Sequence, residues 1–441
     1  MRGLMSWFLQ VAYDWILLPL TQILTPLVFQ LRPNGKVALT LRGQKLALED
    51  LRQQLKSFGP RPKKVWFHVA SAGEFLQAKP VIELLKIRNP EVLIVVSYVS
   101  PSAVRWVKTF AGADIKVFAP LDTLHNMSQF VELVQPAALV LVKFDIWPNM
   151  IRATHAKQVP ILLLSATLSA NSGRYRNPIT KTFFRDLYAQ IKWIACVGAD
   201  DAKRFRETNP NHSGVHVVGD TRVDSVLTRQ SENAKKELQP QLQTLRRDHE
   251  FILIVGSAWG ADEDLVFPAW DRFRAQNTPV RALLIVVPHE PDETHLLASE
   301  KHLERLNLIH VRWSQLAEVR FDQAPSVLLV DRIGMLADLY RIGDAAFVGA
   351  GDGGVHNTME PAAWRLPVVF RPVFHNAPEA ISLVEQKVFQ ALASSDQLVA
   401  QLENWLKNLQ AARALGQKGR DFLEKSQGAT YTCYEYLQKE L

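Results

Sequence analysis

Two stretches of the chain hold the residue types from which a reaction could be built. In the first, an apolar run, Val65–Ala70, leads into Ser71, Ala72, Gly73 and Glu74, and a helix-like segment follows. Gly73 permits a tight turn, and Glu74 falls in the first helical turn, where a carboxylate is favoured and faces the end of the preceding strand. Such a group can serve as a general base, although acidic residues also occupy first helical turns for capping alone. In the second, Ala345–Asn376, an apolar run enters a loop with Gly349, Gly351, Gly353 and Gly354. His356 and Asn357 come next, and Thr358 opens a segment that reads as a helix. Glycines let backbone approach a ligand and the amides of a helix start attract anions, so this stretch predicts a phosphate or carboxylate site. Gly349, Gly351 and Gly354 match G-x-G-x-x-G. The motif lies late in its lobe, however, and no acidic residue closes a following strand, which argues against a dinucleotide site.

Other polar residues follow apolar runs. Asp145 and Trp147 come after Ala138–Val142, and Pro148 with Asn149 reads as the next helix start. Ser257 lies in Gly256–Trp259 as either a helix cap or a phosphate ligand, and His289 with Glu290 follows another run. Ser71 with His68 does not make a serine nucleophile, since neither G-x-S-x-G nor an acid partner is evident. Cys196 and Cys433 stand too far apart for a disulfide framework or metal spacing. His289 and Glu290 have no His or Cys cluster near them, and no D-x-D-like pair ends a strand of the second half, where Asp262 and Glu263 are adjacent. Neither a metal nor a cofactor is expected.

Those residues need a scaffold that brings strand ends together. The chain's 441 residues are 47% hydrophobic and 22% charged, enough for a full core and for two domains. Apolar runs at Val65–Ala70, Val92–Ser97, Ala138–Val142, Ile161–Ser165 and Trp193–Val197 alternate with helix-like segments. A second series runs through Phe251–Gly256, Ala282–Val287, Ser326–Val330, Ala345–Val348 and Pro367–Phe370. This is the βαβ pattern of parallel sheets, and it predicts an α/β chain of two Rossmann-like halves with ligands beyond the strands' carboxyl ends. The boundaries are drawn at 32–225 and 250–441, with the polar, Gln- and Lys-rich stretch 226–249 as linker.

Residues 1–31 are almost uncharged, interrupted by Arg2 and Asp14. The length suits a membrane-spanning helix, while Asp14, Pro19 and Pro26 suit an interfacial helix or a buried domain helix instead. Basic residues from Arg32 to Lys64 place the following domain on the cytoplasmic side if the segment is an anchor. A net charge of +7 and a pI of about 9.3 call for an anionic partner.

Five motifs taken together, S-A-G-E at 71–74, W-P-N at 147–149, G-D-T-R at 219–222, G-S-A-W at 256–259 and H-N-T-M-E-P-A-A at 356–363, resemble the 3-deoxy-D-manno-octulosonic acid (Kdo) transferases of lipopolysaccharide synthesis. The resemblance runs in order over nearly the whole chain. It implies a two-lobed GT-B fold facing across a cleft, an N-terminal membrane-associated helix, and a location on the cytoplasmic side of the inner membrane. It also implies an inverting transfer of Kdo from CMP-Kdo to a lipid A precursor. The acceptor would sit on the first domain and the nucleotide sugar on the second, and a phosphorylated lipid would account for the charge without nucleic acid.

Residue by residue, Glu74 matches the family's general base, with Ser71, Gly73, Asp145 and Trp147 on the acceptor side. Ser257, His289, Gly353, Gly354, His356, Asn357, Glu360 and Arg371 fall on the donor side, where Glu360 is expected to accept from ribose hydroxyls. Lys143, Thr167, His289 and Arg371 depart from the commonest pattern. Replacement of Arg by His at 289 weakens a bidentate grip on an anion, which Arg371 is expected to offset. Two other readings remain: a membrane-tethered GT-B enzyme using another nucleotide sugar, and a catalytically weak binding protein of envelope assembly.

Overall fold

Leu93–Tyr98 and Ala138–Val142 are buried at every position, as expected of a parallel sheet covered by helices on both faces. The computed structural model describes residues 2–21, 35–59, 63–318, 326–351 and 353–441, and it holds two such sheets. The chain divides into one unit of Met1–Ser225 with Ser426–Leu441 and a second of Val226–Lys425. Both are Rossmann-like α/β units of the kind found in GT-B proteins.

The first unit contains β1 (Lys64–Val69), β2 (Leu93–Tyr98), β3 (Ile115–Phe118), β4 (Ala138–Val142), β5 (Ile161–Ala166), β6 (Trp193–Cys196) and β7 (Val215–Val217). They lie in the order β3-β2-β1-β4-β5-β6-β7, all parallel. The second unit contains β8 (Phe251–Ala258), β9 (Ala282–Pro288), β10 (His310–Arg312), β11 (Val327–Leu329) and β12 (Ala345–Val348). A small hairpin of β13 (Ala350–Gly351) and β14 (Gly354–Val355) follows, then β15 (Val368–Phe370) and β16 (Gln390–Ala391). Its large sheet is ordered β10-β11-β9-β8-β12-β15-β16. The strand order therefore reverses between β1 and β4 in one unit and between β8 and β12 in the other. The loops leaving those strands open the crevice where such sheets bind ligands.

The N-terminal membrane helix is corrected. Arg2–Ala12 is helical and Tyr13–Leu17 forms a π-turn. The helical backbone continues through this turn to residue 21, and the π-turn sets Asp14 within it. Among the described residues no helix is long and apolar enough to cross a membrane, while 22–31, the rest of the expected anchor, lie outside the described residues. The expectation of an inner-membrane position on the cytoplasmic side falls with that helix. The polar residues within this segment are tied to the first unit. Asp14 pairs with Arg152 at 3.3 Å and accepts from Asn149 Nδ2 at 2.6 Å, and the Tyr13 hydroxyl donates to Asp122 at 2.8 Å. Leu18 is buried, and Trp7, Phe8, Trp15 and Ile16 are exposed.

Two boundaries also differ from the sequence expectation. The stretch 226–249 is largely helical, within Thr221–Lys235 and Pro240–Asp248, and Leu242 and Leu245 join the second unit's core. Residues Ser426–Leu441, assigned from sequence to the second domain, return to the first unit. There the Asp224 carboxylate accepts from the amides of Gly428 and Thr430, Tyr436 stacks on Trp193, and Cys433 and Leu437 enter the core.

Asp122 is fully buried and caps the helix Pro148–Ala156 through the amides of Asn149 and Met150. Burial pushes its carboxyl up to about 7, against the lowering effect of those amides and of Tyr13. A carboxyl raised in the folded state stabilises the fold below its ordinary value and loses that contribution as pH climbs through the folded value. The stability gap between wild type and Asp122→Asn, from urea unfolding of the first unit, should accordingly narrow between pH 4 and pH 7.5, by on the order of 3 kcal/mol.

Candidate active site

In the first unit, β1 delivers Ser71 to the N-cap of the helix Ala72–Arg88, and Glu74 takes its third position. Glu74 is 7% exposed, and the Ser71 hydroxyl donates to its Oε2. Gly73 makes no turn here: it lies inside the helix, and a Cβ on it would find only an ordinary 3.6 Å contact with Ser71 Oγ. The helix itself is anchored through Gln77, whose side chain donates to Asp220 and whose carbonyl accepts from Thr221 Oγ1. Burial raises Asp220, but the charge and hydrogen bonds of Arg222 outweigh it and hold the carboxyl below its usual range. The G-D-T-R stretch thus fastens the element that carries Glu74.

Beside Glu74's loop, β4 exits through Lys143, whose φ of 64° is left-handed, into Asp145 and Trp147. Strained backbone recurs where β5 and β8 end, at Ser165 (φ 45°) and Ser257 (φ 56°), as is common near functional sites. The buried Trp66 Nε1 donates to Ser97 Oγ at 2.7 Å, and Ser97 Oγ lies 2.8 Å from His68 Nδ1. An indole nitrogen can only donate, so Ser97 Oγ accepts from Trp66 and keeps its own proton free for an acceptor. His68 Nε2 is 3.3 Å from Asp145 Oδ2 but misaligned, and His68 Nε2, Asp145 Oδ2 and Trp147 Nε1 are all buried without a hydrogen-bond partner. The His68 and Trp147 rings meet edge to face at 6.0 Å.

In the second unit, Asp262 binds three loops. Its carboxylate accepts from the amide of Trp259 after β8, from the amide of Ala350 after β12, and from Arg371 Nε after β15 at 2.6 Å. Arg371 also donates to the Ala350 carbonyl. Gly349 has to be glycine, because a Cβ would come within 2.1 Å of the Ser257 carbonyl. At Gly354 the φ of 111° and Asn376 at 2.0 Å from an added Cβ impose the same choice, whereas a Cβ on Gly353 would meet nothing within 4 Å. Asn357 Oδ1 accepts from Met359 N, opening a helix Met359–Ala363 of only five residues, too short for much of a macrodipole. Glu360 pairs with Arg229 at 3.2 Å, and burial nevertheless raises its carboxyl.

Three rings gather at the same edge. The Trp259 and His356 rings are nearly parallel, 10° apart, and are joined by Trp259 Nε1–H donating to His356 Nε2 at 3.0 Å. His289 stacks on both, at 4.7 Å and 4.3 Å. Burial lowers both imidazoles below the usual histidine range, His356 to about 4.

Residues 48–225 match the family model described as 3-deoxy-D-manno-octulosonic-acid transferase (kdotransferase). A 3-deoxy-D-manno-octulosonic acid transferase of Haemophilus influenzae is 27% identical over 387 residues, 87% of this chain and 88% of its own. One from Chlamydia trachomatis is 24% identical over 385 residues, 86% of each. Over most of its length the chain is thus similar to Kdo transferases, which supports a glycosyltransferase of that kind acting in lipopolysaccharide biosynthesis. In fold it is similar to a putative UDP-N-acetylglucosamine 2-epimerase from Listeria monocytogenes, with 13% identity, a TM-score of 0.60, and coverage of 85% of this chain and 94% of that one.

The structure places Ser71, Gly73 and Glu74 after β1 and Asp145 and Trp147 after the neighbouring β4. Ser257 lies near the end of β8, His356 and Asn357 follow the adjacent β12 and its hairpin, His289 follows β9, and Arg371 follows β15. Trp259, the last residue of G-S-A-W, joins the donor-side rings although the motif assigns it no role. Sequence reasoning weighs His68 only as a partner for Ser71 and offers nothing for Gln77, since only their neighbours in space reveal them. Arg371 is the departure with the clearest role. It does not face an anion with Nε and Nη2, which are committed to Asp262 and Ala350. Arg371→Ala would leave Asp262 buried and uncompensated, so it should destabilise the second unit by about 3 kcal/mol in chemical unfolding.

Proposed function

We propose that this chain transfers Kdo from CMP-Kdo to a lipid A precursor with inversion. The observation that carries the proposal is Glu74, a nearly buried carboxylate at the crevice end of β1, held by Ser71 on a helix that Gln77 and Asp220 lock in place. The acceptor hydroxyl attacks the anomeric carbon of Kdo from the face opposite CMP. As that carbon–oxygen bond forms, the bond to the CMP phosphate breaks, the hydroxyl proton passes to Glu74, and CMP leaves. A positioned base contributes about 10²–10⁴ in rate. Asp145 and Trp147, on the loop after β4 beside Glu74's loop, form the acceptor side.

On the donor side, burial holds the imidazoles of His289 and His356 below the usual histidine range, so the phosphate is gripped by hydrogen-bond donors rather than by imidazolium charge. Glu360, oriented by Arg229, accepts from the ribose hydroxyls.

Incubation with CMP-Kdo generated in situ and a lipid A precursor, followed by mass spectrometry of the lipid, tests the reading. Wild type should add Kdo, and Glu74→Gln should lower the rate by at least about 100-fold. Equal rates would remove Glu74 as the base, and no product from wild type would remove the reaction. Glu360→Gln should weaken CMP binding by about 10- to 100-fold in calorimetry, the range for a hydrogen bond to a charged group. UDP stabilising the protein where CMP does not would point to another nucleotide sugar.

A further inference from the structure

The ring cluster of the second unit specifies where a proton must sit. Tryptophan's indole nitrogen donates and never accepts. Trp259 Nε1 lies 3.0 Å from His356 Nε2, so Nε2 is the accepting nitrogen and the ring proton resides on Nδ1. Several contacts hold the arrangement. The ring planes are within 10° of parallel, His289 covers both, Asp262 holds the Trp259 backbone through its amide, and the His356 amide donates to the Gly349 carbonyl at 3.0 Å. Both partners are therefore pinned from the backbone outward.

We propose that Trp259 is a positioning residue for the nucleotide-sugar donor: its indole N–H locks His356 as the neutral Nδ1–H tautomer, and His356 meets the donor as an uncharged hydrogen-bond donor. The inference rests on reading 353–360 as the donor-binding segment. Protonating Nε2 would set two N–H groups against each other at hydrogen-bond distance, so the imidazolium form requires the pair to come apart. The depressed His356 titration, caused by burial and then by His289, agrees with that geometry.

The surrounding charges do not oppose it. His289 faces His356 from the loop after β9, and burial keeps it neutral despite Glu290. Asp262 and Arg371 neutralise each other beneath the loop after β12. On His356's own segment, Glu360 is paired with Arg229. Donor binding then does not depend on an imidazolium at neutral pH, and the side chain at 259 controls it without touching the donor.

Long-range proton–nitrogen NMR of the full chain, with His356 assigned by its loss in His356→Gln, reads the tautomer directly. In wild type, Nδ1 should be the protonated nitrogen and stay so from pH 5.5 to pH 8. Trp259→Phe keeps a flat ring under His289 but removes the N–H. In that variant Nε2, freed of the indole N–H, should titrate above its wild-type value. CMP affinity by calorimetry at pH 7.5 should fall about 2- to 10-fold, the range of one neutral hydrogen bond, and should recover toward pH 5.5. An Nε2–H tautomer in wild type, or an unchanged pH profile of CMP binding in Trp259→Phe, overturns the proposal. Wild type with the expected tautomer but no affinity for CMP overturns instead the donor-site reading beneath it.

Discussion

The Asp262 carboxylate is the interaction on which the second unit's candidate site depends. It stands at the start of a helix, fully buried, and takes hydrogen bonds from the exit loops of β8, β12 and β15 together. A buried charge is tolerated only when it is paired and fully hydrogen-bonded. Any displacement of one loop therefore leaves the others facing an uncompensated carboxylate. That penalty gives short, glycine-rich connections a single arrangement, which a five-residue helix could not impose. Trp259, aligned by one of those hydrogen bonds, passes the constraint on to His356.

The first unit repeats the device with different partners. Asp122 joins the exit of β3 to the helix after Trp147 and to Tyr13, and Asp220 joins the exit of β7 to the helix carrying Glu74. Parallel sheets deliver many loops to one edge, and the loops have few backbone partners of their own. A carboxylate, with about four acceptor sites, can gather several loose amides at once. Sequence motifs that look catalytic because they end strands can thus be fasteners: W-P-N and G-D-T-R mostly hold, while S-A-G-E presents a carboxylate at the crevice.

How much could be read from the sequence followed burial. Strands in the middle of each sheet, such as Ala138–Val142 and Ala345–Val348, are covered on both faces, so their runs are unbroken and their limits coincide with the structure. β3, β10 and β16 lie on or toward the sheet edges, are short and half-exposed, and carry Lys116, Arg312 and Gln390, so no apolar run announces them. The Gly, His and Glu residues of both switch-point loops stood out by type. The roles of His68, Gln77 and Trp259 did not, because they come from partners tens of residues away. The apolar content of residues 1–31 read as membrane affinity. What it did not carry was the reach of Tyr13 and Asp14 to Asp122, Asn149 and Arg152.

The return of Ser426–Leu441 to the first unit sets an order of events during synthesis. Domains generally fold as units as the chain is made. The second unit, continuous from Val226 to Lys425, has all its residues before the first unit does. The first unit's core, emerging earlier, lacks Cys433 and Leu437 until translation has passed beyond the whole of the second. The unit translated first is thus the last to be completed, and the helix Ala429–Gln438 closes its apolar surface only then.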